Sequence, residues 1–183
     1  MTKNPSFKFA LLTAALLALP VAHAAVISKA DYQSTKTRIH ADYKTDKTAC
    51  SSQSGNAKDI CVEESKAKEK VALAELEYGY SGKPSDRNKV LVAKAESSYA
   101  VAKERCDDLA GNPKDVCVKE AKAVEVKALA DAKLGKEIGE ARKDAASDKR
   151  DADYKVAIEK CDALAGEAKS SCVASAKMTY GKS

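Results

Sequence analysis

The stretch "CDDLAGNPKDVC", residues 106–117, decides the fold of this chain, because it recurs on either side as "CSSQSGNAKDIC" (50–61) and "CDALAGEAKSSC" (161–172). Each copy places ten residues between two cysteines, and the first cysteines fall 56 and 55 residues apart. The match extends outward. Tyr43, Tyr99 and Tyr154 each lie seven residues before the first cysteine, and Gly55, Gly111 and Gly166 lie five after it. Lys58, Lys114 and Lys169 lie eight after it, and Val62, Val118 and Val173 follow the second cysteine directly. A period of this length with a fixed internal register is the signature of a repeat architecture.

The chemistry within a copy reads as helix, turn, helix. In the second copy Leu91, Ala95, Tyr99 (or Ser98), Ala102, Cys106 and Leu109 recur at spacings of three and four, one stripe of an α-helix. Gly111 is placed to close that helix in the left-handed conformation. Asn112 then reads as an N-cap, Pro113 as the first helical residue, and Asp115 as a favourable charge at the helix start. Asn56 and Asp59 repeat this in the first copy, whereas Glu167 and Ser170 in the third predict a less firmly started helix.

Both cysteines of a copy sit just over one turn from the bend of an antiparallel helix pair, where facing Cα atoms come within the roughly 4.4–6.8 Å that a disulfide requires. The spacing therefore predicts Cys50–Cys61, Cys106–Cys117 and Cys161–Cys172, each a staple of roughly 3 kcal/mol by loop entropy. The fold expected is all-α: three repeated, disulfide-closed helical hairpins, elongated or in a slender bundle.

The staples matter because the apolar content is low. After residue 24, Val, Ile, Leu and Met supply 25 of 159 residues, below the roughly 20% at which a packed fold becomes doubtful. Alanine, with 28 residues there, favours helix but buries little area. The domain reading is residues 25–84 for the first hairpin, 85–139 for the second and 140–183 for the third. "YGYSGKPSDR" (78–87) marks a real break between the first two, with Ser85 or Asp86 as a cap. Between the second and third, only Gly135 and Gly139 interrupt a charged helical run, so residues 114–164 read as two helices or as one bent rod. Lys136–Glu140, Lys149–Asp153 and Asp151–Lys155 are i,i+4 pairs that support an exposed helix.

Residues 1–24 read as a signal peptide: Lys3 and Lys8, an apolar run from Phe9 to Leu19, Pro20, and small residues at Ala22 and Ala24. Removing them lowers the formal charge from +5 to +3 and leaves no Phe or Trp. No integral span is expected after cleavage, and the location expected is periplasmic or secreted, where disulfides persist. Both charge signs alternate along the chain, which argues against a nucleic-acid partner. Residues 87–110 are too alanine-rich for a membrane-surface helix.

No catalytic residue, cofactor site or metal site is expected. Zinc spacings run C-x2-C or C-x4-C, a thioredoxin-like role needs C-x-x-C, and neither occurs. His40, the one histidine after residue 24, is expected to be a solvated side chain. The three equivalent tyrosines are expected to pack against the partner helix, and the three equivalent lysines to project from a solvated face.

The units resemble those of uncharacterised exported proteobacterial proteins rich in Ala, Lys, Asp and Glu that carry "C-x-x-L-x-G-N-x-K-D-x-C-V-x-E-A-K". The second copy follows that pattern through Lys122, the first from Gly55 onward, and the third departs after Gly166. The resemblance implies export and helical repeats, and no activity. In composition alone the chain is also similar to the rod of the Tol-system envelope protein. The function expected is a non-enzymatic scaffold that contacts an unidentified protein or envelope component. The alternative is a thiol-based redox or soft-metal-binding module, since thiolates suit copper(I).

Overall fold

The computed structural model describes residues 27–183; the expected signal peptide lies outside them. Helix α1 spans Lys29–Ala49 and leads through a single 3-10 turn, Cys50–Ser52, to α2, Gly55–Ser81. Helices α3 (Pro84–Cys106), α4 (Asn112–Asp162) and α5 (Gly166–Tyr180) follow. No strand occurs among the described residues. The chain is all-α, and disulfides close three helical hairpins as the spacing predicts.

Among the described residues each helix packs only on its neighbours in sequence: α1 on α2, α2 on α3, α3 on the N-terminal part of α4, and α5 on its C-terminal part. The short connections make consecutive helices antiparallel. This arrangement follows from composition, because a helix whose apolar residues are mostly alanine offers close approach but no large side chain to reach a third layer. Among the described residues the buried apolar set is Cys50, Leu76, Val90, Ala93, Ala95, Cys106, Ala132, Cys161 and Ala176. Three of these are cysteines, so the staples form part of the core they supplement. Leu91 and Leu109, placed on the predicted stripe, are largely exposed; α3 is covered on two sides, by α2 and α4, and its buried positions therefore spread to Val90, Ala93 and Ser97.

The reading of the turn around Gly111 is corrected. Helix α3 ends at Cys106, with Asp107 as its right-handed C-cap, and Gly111 is the N-cap of α4 at φ 59° and ψ −147°. Asn112 is thus the first helical residue, so the helix starts one place earlier than predicted, and none of α2, α4 and α5 receives a side-chain cap. Gly55, Gly111 and Gly166 all take positive φ, at 55°, 59° and 57°. The requirement for glycine lies in entering the second helix, where a β-carbon is disfavoured.

The two passages between hairpins differ. At the first, α2 ends on Gly82 in the left-handed region, whose N–H bonds to the Tyr78 carbonyl, and Pro84 opens α3. The Ser81 hydroxyl donates to Asp86 Oδ2 at 2.6 Å and accepts from the Lys83 N–H at 3.1 Å, and Lys89 Nζ lies 2.8 Å from Asp86 Oδ1. At the second passage there is no turn. Helix α4 is one helix of 51 residues, about 75 Å long at 1.5 Å per residue, and it runs through Gly135 and Gly139 without a break.

Candidate functional site

Three clasps and one bare helix face carry the side chains that bear on function. In the clasps, Cα–Cα distances are 5.6 Å for Cys50–Cys61, 5.7 Å for Cys106–Cys117 and 5.6 Å for Cys161–Cys172. The first cysteine of each pair is fully buried and the second is half-buried. Ser65, Ala121 and Ala176 stand at the same place in the three copies, four residues past the second cysteine. In the first copy the Ser65 hydroxyl donates to the Cys61 carbonyl at 2.9 Å, and its oxygen lies 3.7 Å from Cys50 Sγ.

The equivalent lysines do more than face solvent. Lys114 reaches across its turn to Asp107 at 2.9 Å, and Lys169 to Asp162 at 3.0 Å. In both cases the aspartate directly follows the first cysteine, so a charge pair doubles the disulfide. The hydrogen bond to Asp107 holds the Lys114 ammonium above its ordinary pKa. In the first copy Ser51 stands where the aspartate would be. There Asn56 acts instead: its side-chain amide donates to the Glu104 carbonyl at 2.9 Å, joining the first turn to the end of α3. The predicted N-cap role of Asn56 gives way to this contact.

The equivalent tyrosines are half-buried and meet different neighbours. Lys122 Nζ of α4 sits 4.8 Å from the centroid of the Tyr99 ring and 2.5 Å from Glu125 Oε2. The bond to Glu125 raises the Lys122 pKa, and it supplies the buried Glu125 carboxylate with a counter-charge. Tyr154 packs edge-on against Tyr180 of α5, with centroids 6.3 Å apart. Tyr43 lines a small hollow with Ser65, Glu69 and Ala72 of α2.

The expectation of a merely solvated His40 is corrected. Its Nδ1 lies 2.7 Å from Glu69 Oε1, tying α1 to α2, while the ring remains 45% exposed. Glu96 and Asp151 occupy the matching place, ten residues before the first cysteine, and they too pair between helices: Glu96 with Lys70 at 2.6 Å and Asp151 with Lys182 at 2.6 Å. Asp151 therefore takes Lys182 of the chain end rather than the predicted Lys155, and this bond holds its carboxyl below the usual carboxylate range. Of the other predicted i,i+4 pairs, Lys136–Glu140 is present at 3.8 Å, and Lys149–Asp153 forms no ion pair among the described residues.

Between α2 and α3 runs an open groove walled by Val71, Ala72, Val101 and Ala102. Its rims are crossed by Arg105–Glu64 at 2.6 Å and Lys94–Glu75 at 2.7 Å. Among the described residues, no helix lies against the corresponding residues of α4. Val124, Val126, Leu134, Ile138 and Val156 are all exposed, Val124 at 63%. No group of three or more His, Cys, Asp or Glu side chains is arranged to hold a metal among the described residues, and no helix there is long and apolar enough to cross a membrane.

Comparison with family models, with curated proteins and with solved structures finds no match to this chain.

Proposed function

We propose that this protein is an exported, non-enzymatic helical repeat protein of the periplasm or extracellular space, working as an interaction or envelope-stress scaffold. The observation that carries this reading is the state of the six cysteines. All are paired within their own hairpins, and one sulfur-bearing residue of each pair is fully buried. Thiol–disulfide exchange requires access to a sulfur, so half of each bridge is shielded from an attacking thiolate. Bridges of this kind persist in oxidising compartments, and the predicted signal peptide gives the route there. The functional surface is then the long polar helix faces, which the staples hold in fixed register.

The test is a pull-down from oxidised periplasm or culture medium with the intact chain, run beside a deletion strain. A defined envelope protein that is captured and lost when exposed helix positions are substituted, with an envelope or stress phenotype in the strain, is the expected result. No partner and no phenotype would overturn the scaffold reading. The thiol-based alternative makes a different forecast: alkylation of the freshly isolated protein would label cysteines, whereas stapled hairpins leave none to label.

A further inference from the structure

We propose that the exposed face of α4 binds a second copy of this chain, antiparallel, about a two-fold axis that passes beside Glu140.

The chain contains its own template for this contact. Helices α2 and α3 pack antiparallel, with Glu64 bridged to Arg105 and Glu75 to Lys94 across a seam of valine and alanine. By the repeat register, the face of α2 recurs 56 residues later and that of α3 recurs 55 residues later. Both recurrences fall in α4. Glu64 and Arg105 map to Glu120 and Lys160, Glu75 and Lys94 to Asp131 and Lys149, and Val101 to Val156. The sign of these four charges is kept, while Lys68 and Val71 of the α2 face give way to Val124 and Lys127.

Within one chain these groups do not meet. Because α4 continues where α2 turns back, Glu120 and Lys160 lie on one helix, about 60 Å apart at 1.5 Å per residue. Yet they share a side of it. Forty residues are about eleven turns at 3.6 residues per turn, and the eighteen from Asp131 to Lys149 are about five. The two half-surfaces thus merge into one continuous stripe. Helices α3 and α5 cover a different side, marked by the buried Glu125, Ala132 and Cys161; Glu140 points away from the stripe, roughly half a turn round the helix from Asp131.

An antiparallel copy on this stripe brings Glu120 opposite Lys160, Lys127 opposite Asp153, and Asp131 opposite Lys149, each twice by symmetry. Val124 meets Val156, and Ala128 meets Ala152. Each of these charge pairs is of opposite sign, and Arg142, beside the axis on the same stripe, faces Ile138. A parallel copy would set Lys127 on Lys127 and Asp131 on Asp131, and such pairs disfavour the wrong orientation. The six charged residues also have no ion-pair partner of their own among the described residues, whereas their neighbours off the stripe, Lys133 with Glu137 and Lys136 with Glu140, do. The dimer rebuilds on each side of the axis the arrangement of α1 to the first part of α4, with α3 and α4 of one copy beside α4 and α5 of the other. It is independent of what the scaffold contacts elsewhere.

The test mixes isotopically light and heavy oxidised full-length chains, joins neighbouring carboxylates and amines with a zero-length reagent, and reads the peptides by mass spectrometry beside the mass in solution. A dimer mass with mixed-isotope Asp131–Lys149 or Glu120–Lys160 links is the expected result. The same links confined to single-isotope peptides, in a monomer, would mean that α4 folds back on itself and would overturn the proposal. A monomer without these links, or a dimer without them, would overturn it as well. Lys149→Glu, at an exposed position, is expected to weaken association about tenfold with unchanged helicity, because two attractions become repulsions. Adding Asp131→Lys to it should restore association, and failure to restore counts against this register.

Discussion

The chain passes from one hairpin to the next twice, through segments one repeat apart, and the outcomes are opposite. At residues 81–84 a left-handed glycine, a proline and a serine–aspartate–lysine network turn the helix back on itself. At residues 134–142, "LGKEIGEAR", no residue forbids the helix, and α4 continues. Glycine alone does not make the difference, since Gly135 and Gly139 stay helical while Gly82 takes φ 62°. What stops α2 is glycine together with Pro84, whose ring cannot follow a helical residue without a clash. The lesson is that a helical repeat encodes its layout in the few residues between units. Hairpins of one repeat stack side by side or hang from a shared rod according to those residues.

The comparison breaks most strongly at the staples. Replacing Cys106 and Cys117 by serine removes a closure of about 3 kcal/mol in the middle of the molecule, and a urea midpoint should fall for the whole α1–α4 assembly. Replacing Cys161 and Cys172 should act locally. Helix α5 has 15 residues and packs on α4 alone, and so short a helix is marginal in water by itself. Hydrogen exchange should show residues 166–180 losing protection while α2 and α3 keep theirs.

Next in size is a turn forced on the second passage. Ile138→Pro costs about 3 kcal/mol in a helix interior and is expected to divide α4 near its centre, lowering helicity in circular dichroism and removing the stripe on which a second copy docks. If helicity and association are both unchanged, the contrast between the passages is misjudged.

The glycines give a smaller and more diagnostic effect. Gly82→Ala places a β-carbon in a left-handed residue and should destabilise by about 1–2 kcal/mol. At Gly135 and Gly139 a β-carbon meets open space, so alanine there should stabilise by about 0.8–1 kcal/mol each. Opposite signs at the two passages in thermal melts are the expected result.

The smallest effect is a pH dependence confined to the first passage. The hydrogen bonds from Lys89 and then Ser81 hold the Asp86 carboxyl below its ordinary range. The folded state then binds this proton less readily than the unfolded chain. The contribution is therefore complete above the unfolded value, about pH 3.9, and is lost as the pH falls through the lower folded value. Asp86→Asn should remove this part of the acid dependence of a urea midpoint. An acid limb unchanged by the substitution would assign it elsewhere.

Much of the architecture is legible in the sequence, and the reason is covalent and local. Cysteine, glycine and proline act on the backbone directly, so the pairing of Cys50 with Cys61 and the break at Pro84 can be read without knowing what packs where. The exact frame of the turns was less legible: Gly111 fits a helix exit as well as a helix entry by residue type, and only the backbone path through Asp107 to Ala110 distinguishes them. Side-chain partners were least legible. His40 with Glu69, Asn56 with the Glu104 carbonyl and Asp151 with Lys182 join residues 29, 48 and 31 positions apart, and long-range pairing leaves no short-range pattern. A signal did exist for the first of these, because the place ten residues before each first cysteine holds His, Glu or Asp in the three copies.

By itself, then, the sequence determined that the chain is helical, that it repeats three times and which cysteines join, because each of these follows from spacing along the chain and from the stereochemistry of single residues. Only the tertiary structure decided that the second and third hairpins share one 51-residue helix, and that α4 keeps an unpaired face with the charges of the α2–α3 contact. A glycine-containing, charge-balanced segment without proline is compatible with either a turn or a helix, and only the continuous backbone path through residues 134–142 shows that the helix runs on.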